Sequence, residues 1–99
     1  MNTVEKVAKQ TIHDKLESQI KMAEAKLDML KARALSAKAD TEVKALTELL
    51  TRKRALEQEV NALKKMGEEK WEHAKTDLEA RVAHFEKSVQ EMEAKAKHG

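Results

Sequence analysis

Any chemistry in this chain has to come from a short list of side chains. His13 and Glu17, and again His73 and Asp77, stand four residues apart, a spacing that puts both donors on one face of a helix and offers a two-point clamp for a transition metal. Two donors do not make a site, and both pairs read as ordinary surface groups. His84, beside an apolar stripe, would add a mild pH sensitivity to packing. The run Arg52-Lys53-Arg54, with Lys44 on one side and Lys64-Lys65 on the other, is the main basic cluster. It suits a phosphate contact, on nucleic acid or on a lipid headgroup. Glu48, Glu57 and Glu59 dilute its field, and no aromatic residue lies close enough to stack on a base. Ser18, Ser36 and Ser88 lack a nucleophile elbow, and no Gly-rich phosphate loop is present. The chain is expected to be no enzyme, with no catalytic residue, cofactor or metal ligand assigned.

The elements that would position these groups are helices. Between Met1 and Met66 there is neither glycine nor proline, and only Gly67 and Gly99 interrupt the remainder. Helix-forming alanine, leucine, lysine and glutamate dominate, so propensity and pattern agree. Asn2 with Glu5 has the form of a capping box, and Thr11 with Asp14 repeats it. From Leu16 an apolar stripe runs through Ile20, Ala23, Leu27, Leu30 and Ala34 at alternating spacings of four and three, a coiled-coil seam. It continues through Ala37, Thr41, Ala45 and Leu49 with an added four-residue step, then Lys53, Leu56, Val60 and Leu63. Such a stutter unwinds a supercoil without breaking it.

The main boundary is Lys64-Lys65-Met66-Gly67-Glu68-Glu69. Lysines face the negative end of one helix dipole, a glycine follows where a left-handed residue is needed, and glutamates open the next helix. The last helix carries Trp71, Ala74, Leu78, Val82, Phe85, Val89, Met92 and Ala96. The expected fold is therefore a single all-α domain over 1–99, a long helical hairpin or antiparallel coiled coil with a helix over about 3–66, a turn near 67 and a helix over about 68–97. The alternative is a spectrin-like bundle of three helices with an extra turn near Asp40. Against it stands the absence of glycine, asparagine or proline around residues 36–42.

Helix length turns the hairpin into a prediction about association. Residues 3–66 would span about 95 Å and residues 68–97 about 45 Å. Folded back, the shorter helix packs Trp71, Leu78, Val82, Phe85 and Val89 against Leu49, Leu56, Val60 and Leu63. Leu16, Ile20, Ala23, Leu27, Leu30 and Ala34 are then left uncovered. An exposed apolar seam of that length calls for another copy, a dimer by preference, or for another helical protein.

Composition fits narrow stripes on charged rods. Charged residues make up 38% and apolar residues 40%, with a mean hydropathy of -0.75 and only Trp71 and Phe85 as aromatics. The apolar residues are periodic and the charge signs interspersed, which favours folding over disorder. No cysteine is present, which excludes disulfides and thiolate metal sites. No stretch approaches a membrane span, and the N-terminus has the charge pair Glu5-Lys6 where a signal peptide has its apolar run, so a cytoplasmic setting is expected. The helix start, with Val4, Val7, Ile12, Leu16 and Ile20 among lysines, could instead lie on an anionic membrane surface.

The stretch Leu16 to Leu30, Ala37-Lys38-Ala39-Asp40, Ala55 to Lys65, and Gly67-Glu68-Glu69-Lys70-Trp71-Glu72 followed by Lys75 and Leu78 together resemble a family of small bacterial coiled-coil proteins of about 100 residues, some associated with salt or other stress. The resemblance spans residues 12–90. It implies helices, a cytoplasmic setting and no catalytic residues. Met22 and Ala23 stand where such proteins often have tryptophan, and the net charge of +2 contrasts with their usual acidity. The expected role is that of a self-associating scaffold, adaptor or stress-related interaction module. Peripheral lipid association is the alternative, and weak nucleic-acid binding through Arg52, Lys53 and Arg54 comes third.

Overall fold

The computed structural model describes residues 3–98, with side chains over 8–96. The chain forms α1 (Thr3–Ser36), α2 (Asp40–Leu63) and α3 (Glu68–His98). Each helix contacts the other two. No strand occurs among the described residues. The expected cap of Asn2 and Glu5 lies outside the described residues.

The helix expected over 3–66 is divided. α1 stops at Ser36, and Ala37, Lys38 and Ala39 turn the chain into α2. The long axis measures 54 Å, with 17 Å in both other directions. Backbone hydrogen bonds explain how a turn forms without glycine. The Ala39 N–H donates to the Ala34 carbonyl at 2.9 Å and the Lys38 N–H to that of Leu35 at 3.1 Å, the bond pair of a Schellman motif. That motif needs a left-handed residue after the helix, and Lys38 supplies it with φ 57°. A lysine there bears a steric cost of about 1 kcal/mol. Lys38→Gly is therefore expected to raise the thermal midpoint by about 4–8 °C in a circular-dichroism melt. A lowered midpoint would mean that the lysine side chain contributes more than its backbone costs.

The second turn works differently from expectation. Gly67 is not left-handed, and a methyl group built on it would meet nothing. Its carbonyl accepts the Trp71 N–H at 2.9 Å, so Gly67 is the N-terminal flank of α3 rather than the end of α2. Glu68 and Glu69 in the first turn complement the positive end of the dipole.

α1 and α2 run antiparallel. The Lys9 ammonium lies 3.4 Å from the Met66 carbonyl, His13 meets Asn61 and Glu24 meets Lys53. The core is one cluster from all three helices. α1 buries Leu16, Ile20, Ala23, Leu27, Leu30 and Ala34, α2 buries Leu46, Leu49, Leu56, Val60 and Leu63, and α3 buries Trp71, Leu78, Val82, Phe85 and Val89. Leu46 takes the place expected for Ala45, because α2 begins afresh at Asp40 and its own three-four repeat runs 46, 49, 53, 56, 60, 63 without a stutter. Leu27 and Val82 are fully shielded, at 0% exposure each.

Candidate interaction surface

The seam expected to recruit a second copy is occupied. Every one of its six residues is buried within the chain's own core, because α2 folds back over the part of α1 that a hairpin would leave bare. The same packing removes the proposed lipid-facing edge: Leu16 and Ile20 are buried and Ile12 is partly buried against the core. The side chains of Val4 and Val7 lie outside the described residues. No helix of the described residues is long and apolar enough to cross a membrane.

The basic run is split by helical geometry. Three successive residues point about 100° apart, so Arg52 and Arg54 are exposed while Lys53 faces α1. Its ammonium bridges Glu24 of α1 and lies 3.2 Å from Glu57. The hydrogen bond that the Lys53 ammonium donates to Glu24 pushes it above the ordinary lysine range, against the opposing effect of burial. Lys53 is thus committed to holding α1 on α2 and is withdrawn from any shared phosphate site. On the other side, Arg52, Arg81 and His84 rim a groove floored by Ala55, Leu56, Ala80 and Phe85. Arg81 there is already paired with Glu59 at 2.7 Å and with Asp77 at 3.5 Å.

The histidine pairs fare unequally. His13 is buried at 3% exposure, with Nε2 3.0 Å from Asn61 Oδ1 and 3.4 Å from Glu17 Oε2, and Nδ1 3.2 Å from Asp14 Oδ1. The hydrogen bond to His13, joined by one from Gln10, holds the Asp14 carboxyl below the ordinary aspartate range. His13 and Glu17 do approach each other, but inside a polar bridge between α1 and α2. His73 and Asp77 line an open groove with Met66, Glu69, Lys70 and Ala74. No group of three or more His, Asp or Glu side chains placed to hold a metal occurs among the described residues.

Three core-facing positions lie outside the apolar stripe because their side chains are polar. Counting back from Leu16 by three and four gives His13 and Lys9, and Lys75, not Ala74, continues the α3 repeat from Trp71 to Leu78. Lys53, already a member of the stripe, faces the core in the same way. Lys9 and Lys75 lay their stems along the core edge and place their ammonium groups 5.9 and 5.5 Å from the centre of the Trp71 ring, the geometry of a cation–π contact.

Two surfaces are left without an internal role. One is the outer face of α1, directly opposite the core, where Ser18, Met22, Ala25, Met29, Ala32 and Ser36 recur at four-three spacing with no charge among them. Met22 and Met29 are 67% and 68% exposed, and Leu35 on its flank 57%. The other is a cavity of about 350 Å³ beside the α1–α2 turn. Leu30, Leu46 and Met92 floor it, Ala34, Ala37, Ala39 and Ala96 wall it, and Arg33, Lys95 and Glu42 stand at its rim. Compared with protein-family models, with curated proteins and with solved structures, the chain matches none.

Proposed function

We propose that the chain is a self-contained three-helix bundle, non-enzymatic and cytoplasmic, that associates with itself through the outer face of α1 and serves as a scaffold or adaptor. One observation carries the reading. Among the described residues the large apolar side chains that stand exposed, Met22, Met29 and Leu35, all lie on α1, and the first two belong to an uncharged stripe that repeats like a coiled-coil seam.

Charge places the register. When two α1 helices run antiparallel with Met22 opposite Ala25 of the other copy, Lys21 faces Asp28 on one flank, twice by symmetry, and Gln19 faces Lys26 on the other. Centring the pair one half-heptad further along would instead oppose Asp28 to Asp28 and Lys26 to Lys26. The stripe is about 27 Å long and one helix, about 10 Å, wide. Its area falls well below the ~800 Å² per partner of a standard interface, so association is weak and concentration-dependent. The resemblance to stress-associated coiled-coil proteins is the support for a stress-related setting.

Sedimentation across a concentration series from micromolar to millimolar tests this. A monomer–dimer equilibrium is expected, abolished by Met22→Asp with the helical spectrum unchanged. Lys21→Asp or Asp28→Lys alone should weaken it, and the two together should restore it. A monomer throughout, or a dimer indifferent to Met22→Asp, would overturn the reading.

A further inference from the structure

We infer that the cavity beside the α1–α2 turn binds a free fatty-acid carboxylate, its alkyl tail within the alanine walls and its headgroup met by Arg33 and Lys95. Along the rest of the molecule most seam positions carry larger side chains, Ala23 being the small one among them, and the helices close on one another. At this end Ala34, Ala39 and Ala96 occupy the corresponding places, and about 350 Å³ stays unfilled. The cavity is half open to solvent, and its apolar walls are costly to wet. The volume falls within the range of small-molecule sites. With roughly 30 Å³ taken for each methylene, about the share of one liquid water, it holds a tail of about twelve carbons.

The rim selects the sign of the headgroup. Arg33 and Lys95 form no ion pair with any described residue, and Glu42 is the single acid beside them. Glu91, placed four residues before Lys95 where it would neutralise it, forms no ion pair with it. A carboxylate on an alkyl tail satisfies the apolar floor and the net positive rim together. The other grooves offer less: the one at His73 is more open and mixed in charge, and Arg81 in the α2–α3 groove is already paired. This site is separate from the outer face of α1.

Calorimetric titration of the full chain with monomeric decanoate, dodecanoate and tetradecanoate below their micellar concentrations tests the inference. Affinity should tighten about tenfold for each added pair of methylenes, by the burial of each CH₂, and level off once the tail exceeds the cavity. Decyltrimethylammonium should bind at least tenfold more weakly than decanoate. Lys95→Glu, at an exposed position, should cost decanoate about tenfold while leaving decanol unchanged, and Arg33→Glu should act alike. Ala96→Leu fills the mouth from an exposed helical site and should weaken decanoate and decanol together. Trp71 lies at the far end of the molecule, so its unchanged emission certifies that each variant is folded. Equal affinity for decanoate and the cationic amphiphile, no dependence on tail length, or indifference to Ala96→Leu would overturn the proposal. So would flotation with anionic vesicles by a chain that ignores monomeric decanoate, which would indicate a membrane surface. Met22→Asp should leave decanoate binding intact, so loss of the dimer and loss of the ligand are read separately.

Discussion

Leu27→Ser is expected to unfold the chain rather than to separate copies of it. Leu27 is 0% exposed at the centre of the α1 stripe. Removing its side chain costs about 2–5 kcal/mol for lost burial and the cavity left behind, and the serine hydroxyl, buried without a partner, adds about 1–3 kcal/mol. Together these take most of the roughly 5–15 kcal/mol that holds a domain of this size. Thermal and urea melts followed by circular dichroism should show the midpoint falling by tens of degrees, or no cooperative transition at physiological temperature. Had the stripe been an interface between two long rods, the same change would halve the mass in solution and leave each helix intact. A folded Leu27→Ser monomer with a near-native melt would therefore contradict the packing described above.

Trp71→Ala should be nearly as damaging, at about 3–5 kcal/mol. The ring closes the end of the core where α2 turns into α3, and it carries two lysines from different helices, Lys9 of α1 and Lys75 of α3. Losing it opens that end and leaves both ammonium groups without the ring face that attracts them. Trp71→Phe separates packing from polarity. The indole Nε1 is buried with no hydrogen-bond partner, so phenylalanine gives up volume but also removes an unsatisfied N–H, a penalty of about 1–3 kcal/mol. We expect Trp71→Phe to lie within about 1 kcal/mol of the parent in urea denaturation while Trp71→Ala falls far below it. If the two variants were equally destabilised, the indole would have to contribute something other than bulk.

What the sequence disclosed and what it hid follow from the same periodicity. Helical character and fifteen of the core positions were legible, because alternating steps of three and four among leucine, valine and alanine admit few other readings. The second turn was legible as a boundary from Lys64 to Glu69, although the glycine in it serves a different purpose. The first turn was legible only as the alternative, a break near Asp40, and not as the preferred reading. Its left-handed residue is Lys38, a residue type that carries no turn signal, and the Ala34–Ala39 closure uses backbone atoms alone. With a continuous helix preferred over that turn, the register had to detour through Ala45, Leu46 was lost from the core, and α1 was left bare. The apparent stutter was the trace of the break. Lys9 and Lys75 were hidden for another reason: they occupy core-facing positions with charged side chains that only the Trp71 ring explains, while for His13 and Lys53, visible as candidate groups, only the neighbouring helix reveals that Asn61 and Glu24 receive them. The outer face of α1 was invisible as a surface until the inner one was known to be spent.

An odd number of passes along one axis has a mechanical consequence. Because α1 and α3 travel the same way with α2 returning between them, the start of the first helix and the close of the third emerge at opposite poles, separated by something near the 54 Å length of the molecule. Any segment joined at one pole is held away from any segment joined at the other by a strut that cannot be shortened without melting the core. A two-helix fold would have brought both attachments to the same end.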